Sequence, residues 1–323
     1  MNISTSLRRA KAPLALTAAV MLAASACGGG DAGSGGSGDE LSGTVKVDGS
    51  STVAPLTSAA SEFYAEEQPK VRVTVATSGT GGGFKKFCVG ETDISDASRP
   101  IKDEEIKTCE ENSIKYEQFA IANDGLSVVV SKDNDWADCL TVAQLKKIWE
   151  PGSKVNNWNQ VDPKFPDEPL KLFGAGTDSG TFDYFTDAIN GEEGASRTDY
   201  SGSEDDNVTV TGVSGTKGGL GYFGFSYFEE NADKLKLVQI DGGDGCVTPS
   251  VETVQDGSYK PLSRELFIYP SAKALERPEV VDFVEYYVEN NKKIAEDAKF
   301  IPLNAEQEKE LQTALDKLKA ATK

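Results

Sequence analysis

Three times along this chain a run of alternating apolar residues meets a turn of glycine and hydroxyl residues and continues as an amphipathic helix. In the first copy Thr44-Val45-Lys46-Val47 runs into Gly49-Ser50-Ser51-Thr52, after which Leu56, Ala59, Ala60, Phe63 and Tyr64 recur at helical spacing. Pro55 suits the first turn of that helix. In the second, Val71, Val73 and Val75 alternate toward Ser78-Gly79-Thr80-Gly81-Gly82-Gly83, and Phe84 and Phe87 open a helix. In the third, Leu170-Lys171-Leu172-Phe173 leads into Gly176-Thr177-Asp178-Ser179-Gly180-Thr181, followed by Phe182, Phe185 and Ile189. Each copy therefore sets a helix N-terminus beside a small, hydroxylated turn.

That arrangement has a chemical consequence. The first turn of a helix leaves amide N–H groups without intrahelical partners, and the aligned peptide dipoles make that end partly positive. An anion is its natural occupant. Glycine lets the backbone approach closely, and Ser and Thr add rotatable donors that suit a tetrahedral oxyanion. One copy alone also reads as an ordinary N-cap before a helix. Three copies, without the lysine-bearing G-x-x-x-x-G-K-[ST] pattern of nucleotide binders, point to a shared small-anion site. A fourth segment, Glu91-Thr92-Asp93-Ile94-Ser95-Asp96-Ala97-Ser98-Arg99-Pro100, adds an acid and a base. A carboxylate at Asp96 belongs in an anion site if the ligand carries a proton, since it accepts a hydrogen bond from HPO4 or H2PO4 and repels fully ionised sulfate. Alternatively, Asp96 is a turn or capping residue and Arg99 a surface charge.

The rest of the composition removes competing classes. The chain has 323 residues, 38% hydrophobic and 8% aromatic, enough for two well-formed cores. It contains no histidine, so Ser-His-Asp and Cys-His catalysis, an imidazole base and a His-ligated metal are excluded. No acid pair stands out as a catalytic couple among 52 acidic residues, and no metal site or cofactor is expected.

Arg8, Arg9 and Lys11 precede an apolar run from Leu14 to Ala26 that reads as an export signal, too short to cross a bilayer as a helix. It ends at Ala24-Ser25-Ala26-Cys27, which looks like a lipoprotein processing site at which Cys27 becomes the lipidated, palmitate-bearing first residue; Ala24 stands where Leu is most usual, and simple secretion is the alternative. The Gly- and Ser-rich tract from Gly28 to Gly38 is then a flexible tether. Removing residues 1–26 takes away three positive charges and no negative one, moving the net charge from −19 to −22. Nucleic acid is thereby an unfavourable partner, and a small anion must be held by short-range donors. The remaining Cys88, Cys109, Cys139 and Cys246 suggest two disulfides in an exported chain, with three pairings open and unpaired buried thiols as the alternative.

Gly49-Ser50-Ser51-Thr52-Val53-Ala54-Pro55, Ser78-Gly79-Thr80-Gly81-Gly82-Gly83-Phe84, Asp93-Ile94-Ser95-Asp96-Ala97-Ser98-Arg99 and Asp178-Ser179-Gly180-Thr181 together resemble the phosphate-binding component (PstS family) of the high-affinity phosphate ABC transporter, in order and spacing. Leu140 to Trp149, Gly218 to Phe223 and Phe300-Ile301-Pro302-Leu303 extend the likeness from about Thr44 to the C-terminus. The resemblance implies an α/β, two-lobed periplasmic-binding-protein-like fold of type II, with the ligand in the inter-lobe cleft. Expected boundaries are a signal peptide at 1–26, a tether at 27–43, one lobe from 44–121 plus 248–323, and the other from 122–247. The crossings then fall near Ala122 and Val247, and the pairings Cys88–Cys109 and Cys139–Cys246 keep each disulfide within one lobe.

The resemblance also implies that Ser51, Thr52, Ser78 and Thr80 donate to phosphate, that Asp96 accepts its proton, and that Ser179, Gly180 and Thr181 complete the cage. Many relatives have an arginine shortly before the third Ser-Gly-Thr, whereas this chain has Phe173-Gly174-Ala175-Gly176-Thr177-Asp178. Arg99 is the candidate to contact phosphate or steady Asp96 in its place, and Asp178 is as readily a helix cap. The implied function is a monomeric, non-enzymatic receptor, lipid-anchored at the outer face of the cytoplasmic membrane, that delivers inorganic phosphate to the permease subunits of an ABC importer. The alternatives are a receptor for arsenate, sulfate or another tetrahedral oxyanion, a phosphate sensor, and a phosphate-ester hydrolase using Ser51 or Ser179.

Overall fold

All three repeats form a strand, a turn and a helix, but the second helix begins earlier than its pattern predicts: Thr80 to Gly83, expected in the turn, are its first residues, and Phe87, expected near its start, is its last. In the computed structural model, which describes residues 41–321, the first copy is strand β1 (Gly43–Gly49) and helix α1 (Ala54–Glu67), and the second is β2 (Val71–Ala76) and α2 (Thr80–Phe87). Next come β3 (Ile94–Ala97), α3 (Asp103–Glu111), β4 (Phe119–Ser131), β5 (Cys139–Thr141), α4 (Val142–Trp149) and α5 (Trp158–Val161). The third copy is β6 (Lys171–Ala175) and α6 (Gly180–Asn190). After it follow β7 (Ser201–Ser203), α7 (Asp206–Ser214), β8 (Gly219–Gly224), α8 (Phe225–Glu230), β9 (Leu235–Leu237), β10 (Gln239–Asp241), β11 (Cys246–Val247) and α9 (Val251–Gln255). The chain closes with β12 (Ser263–Pro270), α10 (Pro278–Glu289), α11 (Asn291–Asp297) and α12 (Ala305–Ala321). The predicted export signal, Cys27 and all but the last residues of the predicted tether lie outside the described residues.

One nine-stranded sheet, ordered β2-β1-β3-β12-β4-β8-β6-β7 with β9 also on β4, runs through both halves of the molecule, and β11-β10-β5 form a second, small sheet. Continuity depends on β4, 13 residues long and buried over nearly its whole length. Its first half pairs antiparallel with β12, from Phe119 opposite Ile268 to Gly125 opposite Ser263. Its second half, Leu126 to Val130, pairs with β8.

The apolar side chains separate into two main cores at this junction. One gathers Val45, Leu56, Ile94, Phe119, Ile268 and Phe283. The other gathers Leu126, Trp149, Trp158, Phe185 and Tyr222. Each fully buried side chain of this size contributes roughly 1.5–3 kcal/mol, so each cluster is a substantial core of its own half. The two-lobed α/β architecture implied by the resemblance is thus present. The return near Val247 does not match the packing, because Val254, Tyr259 and Leu262 all join the second core. The apolar side chains change cores at Leu262 and Leu266 instead, on either side of Arg264.

Both disulfides join the predicted partners. Cys88–Cys109 ties the end of α2 to α3, and Cys139–Cys246 ties β5 to β11 across the small sheet. Among the described residues no helix is long and apolar enough to cross a membrane.

Candidate functional site

A cleft of about 740 Å³ opens where β4 and β12 pass between the two cores, and the first two repeats supply much of its wall. From the first come Ser50, Ser51 and Thr52, from the second Gly79, Thr80 and Gly81, and from the end of β3 Ser98 and Arg99. The first two turns of α6 add Asp183 and Tyr184, and β12 adds Ser263 and Arg264.

Local hydrogen bonds fix each turn. Ser50 N–H donates to the Asp96 carbonyl at 2.9 Å, Ala54 N–H donates back to Ser50 O at 3.0 Å, and Thr52 N–H donates to Ser50 Oγ at 3.2 Å. The second turn is anchored on Asp48, whose Oδ1 accepts from both Ser78 N–H at 3.0 Å and Ser78 Oγ at 2.7 Å, while Lys86 Nζ pairs with Oδ2. Burial would raise the Asp48 carboxyl, but the hydrogen bonds from Lys86 and Ser78 outweigh it and hold the group below its ordinary value. Gly79 follows with φ of +77°, a conformation that favours glycine, and turns the chain into α2. Thr80 Oγ1 lies 3.0 Å from Ser98 Oγ and accepts from Ser98 N–H at 3.2 Å, joining the second turn to the end of β3.

The third repeat meets the first directly. Ser179 caps α6 by accepting from Thr181 N–H at 3.2 Å, and Thr52 Oγ1 donates to the Gly180 carbonyl at 3.3 Å. A Cβ on Gly180 would stand 2.4 Å from Thr52 Oγ1 and 2.8 Å from Thr52 N, so only glycine permits this approach. One turn on, Asp183 Oδ2 accepts from Ser51 Oγ at 3.4 Å. Burial raises the Asp183 carboxyl, against the pull of Ser51 and of the Arg264 charge.

Arg264 occupies the floor between these turns. It stands opposite Asp124 in the β12–β4 register, and its Nε donates to Asp124 Oδ2 at 3.1 Å. Its Nη2 donates to Thr52 Oγ1 at 3.1 Å and its Nη1 to the Ser98 carbonyl at 3.4 Å. The guanidinium carbon lies 3.6 Å over the Tyr184 ring, whose hydroxyl donates to Pro261 O at 2.9 Å. Asp124 is buried, which raises its carboxyl in spite of the Arg264 charge.

Of the predicted site residues, Ser51, Thr52, Thr80 and Arg99 line the cleft. Ser78 stands behind it, its donors spent on Asp48. Ser179, Gly180 and Thr181 lie at its edge, Gly180 packed on Thr52 and Thr181 lining an adjoining cavity of about 240 Å³. Asp96 is a correction: it is wholly buried and does not face the cleft. Strand alternation is the reason, for Asp96 shares with Ile94 the face of β3 turned toward the α1 core, and Thr57 of α1 donates to both its carboxylate oxygens at 3.0 and 2.9 Å. Arg99 does not steady it either, because its two terminal nitrogens are taken by Glu105 at 2.9 and 2.8 Å. Sequence reasoning missed Ser98, Asp183, Asp124 and Arg264. The one available signal for Arg264 was a charged residue at the head of the apolar run Leu266-Phe267-Ile268-Tyr269.

The chain matches the model of the PBP superfamily domain over residues 34–291. It is 48% identical to protein SphX of Synechocystis sp. over 83% of this chain and 80% of that one. With the phosphate-binding protein PstS of Staphylococcus saprophyticus it shares 43% identity over 90% of this chain and 89% of the relative. The chain belongs to the PstS family of phosphate-binding proteins. The family fold is matched as well: the crystal structure of a possible phosphate binding protein from Planctomyces limnophilus superposes with a TM-score of 0.83 at 48% identity, covering 86% of this chain and 99% of that one. The cleft between the two cores is therefore where this family member's ligand site is to be sought.

Proposed function

We propose that this protein captures inorganic phosphate in the cleft between its lobes and delivers it to an ABC-type importer. One observation carries the reading: the hydroxyl-rich turns of the first two repeats and Ser98 line a single cleft, and the start of the third repeat's helix packs on Thr52 at its edge. Ser51, Thr52, Thr80 and Ser98 are the hydroxyl donors in this reading, with backbone amides of the Gly79–Gly81 turn beside them. Charge-assisted hydrogen bonds of this kind contribute roughly 1.5–3 kcal/mol each before desolvation of the anion is subtracted.

Asp183 replaces Asp96 as the acceptor for the ligand's proton. It reaches Ser51 across the cleft, and an ionised carboxylate there would accept from HPO4 and repel sulfate. Ser179, Gly180 and Thr181 act through the close approach of α6 to Thr52, which shuts the cleft from one side. The lobes are residues 44–122 plus 264–323 and residues 126–262, a division that follows the two cores, although Ile301 reaches across to pack with the second. Export, a lipid anchor at Cys27, docking on permease subunits and a monomeric state complete the receptor reading. They rest on the N-terminal sequence and the family.

A thermal-unfolding series with added anions tests the ligand assignment. Phosphate at about 100 times its Kd should add roughly 2.7 kcal/mol to stability and raise Tm accordingly, with sulfate at the same concentration leaving Tm unmoved. Equal shifts from both anions would sink the proton-acceptor role of Asp183.

A further inference from the structure

We infer that Arg264, carried on the strand that passes between the lobes, supplies the positive charge that engages phosphate, and that Tyr184 is a positioning residue for it. The inference rests on the phosphate-receptor reading above and assigns to that site a charged group that neither the motifs nor the resemblance located.

The stretch before the third Ser-Gly-Thr, Phe173 to Asp178, contains no cation. Three cationic residues line the cleft: Arg99, Lys102 and Arg264. Arg99 is committed to Glu105 through both terminal nitrogens and sits over the Phe84 ring. Arg264 is placed differently. Its side chain is 18% exposed and its Nε edge is held by Asp124 directly across the strand pair. The two Nη groups are left pointing at Thr52 Oγ1 and the Ser98 carbonyl, neutral oxygens of the first turn and of the end of β3, both on the cleft wall. A guanidinium fixed through Nε presents a two-pronged edge, and phosphate oxygens are stronger acceptors for it than a hydroxyl or a carbonyl.

The plane of that edge is set by Tyr184. The ring lies 3.6 Å from the guanidinium carbon and is itself fixed by the bond from its hydroxyl to Pro261 O at 2.9 Å. Tyr184 sits in α6, one turn beyond Gly180, so the helix that closes on Thr52 also seats the arginine. Because Arg264 stands where the chain passes between the cores, its charge stays at the cleft floor whichever lobe moves. Asp124 keeps the buried charge compensated, as a partner in the interior must.

The test is calorimetric titration of the folded, phosphate-stripped protein with phosphate. Arg264→Gln is expected to weaken binding roughly 10- to 100-fold, the loss of one or two charge-assisted bonds. Arg264→Lys should recover part of it, since the charge is kept and the fork lost. Because Arg264→Gln strands the Asp124 carboxylate, the paired variant Asp124→Asn with Arg264→Gln is measured too, with thermal unfolding to verify the fold. Tyr184→Leu should weaken binding several-fold in the native background and leave it unchanged in the Arg264→Gln background, a coupling that a purely structural role would not produce. Native-like affinity in the folded paired variant would overturn the inference and leave the receptor reading standing. A native protein that ignores phosphate would overturn the receptor reading and the inference with it.

Discussion

Complete burial holds the Asp96 carboxyl in its neutral form. Desolvation, opposed by the Thr57 hydroxyl and reinforced by the Asp48 charge, pushes it from 3.8 up to about 8. Between those values the unfolded chain has released a proton that the folded chain still binds. Stability from this group is therefore fully present below the unfolded value and is lost as pH rises through the folded one. Asp96→Asn removes the effect while keeping a partner for Thr57. Its stability relative to the native protein should climb with pH from about 4 to 8, by at most about 1.4 kcal/mol per pH unit, and urea unfolding at several pH values measures this. Parallel curves would show that Asp96 is ionised in the fold. The same substitution should leave sulfate exclusion intact, whereas Asp183→Asn should let sulfate compete with phosphate in an equilibrium binding assay. The error over Asp96 has a plain cause. The D-x-S pattern does not show where the strand ends: Asp96 lies within β3 on the Ile94 face toward α1, whereas Ser98, one residue past the end of β3, is free of that alternation and lines the cleft.

At the scale of elements, the three strand–turn–helix copies were legible because every signal they carry is local: alternation, small turn residues and helical spacing within some twenty positions. Their convergence is another matter. Thr52 meets Gly180 across 128 positions, and Arg264 meets Asp124 across 140, through a strand register that no local pattern encodes. Gly180→Ala probes the first of these contacts. The added methyl would stand 2.4 Å from Thr52 Oγ1, so the α6 N-terminus must draw back, and phosphate affinity should fall at least tenfold with Tm nearly unchanged. Unaltered affinity would separate this contact from binding. The disulfides form a second pair of element-scale constraints, closing loops with sequence separations of 21 and 107. On chain-entropy grounds, serine replacement of Cys88 and Cys109 should cost about 3 kcal/mol and of Cys139 and Cys246 about 5 kcal/mol, readable as two distinct drops in denaturant midpoint.

Over the whole molecule, two cores on one continuous sheet leave a cleft floored by the strands that join them. The resemblance anticipated that architecture and the disulfide pairing, and it misplaced the return between lobes. Val247 closes an acidic, glycine-rich loop and looks like a boundary, yet Val254, Tyr259 and Leu262 carry the chain on through the second core until Ser263 opens β12. The net charge of −19 also bears on the site: the cleft lining itself mixes Arg99, Lys102 and Arg264 with Asp183, Asp187, Glu193 and Glu265, so in the receptor reading the anion is held by donors acting at short range against an acidic surround. Anchoring at the membrane predicts that palmitate label incorporated by cells making the full chain is lost in Cys27→Ser, and label retained in that variant would contradict the anchor. The central claim is phosphate capture in this cleft. Calorimetric titration of the phosphate-stripped native protein, first with phosphate and then with sulfate, tests it most directly. The account predicts saturable one-to-one binding of phosphate and no heat from sulfate, and a folded protein that ignores phosphate would contradict it.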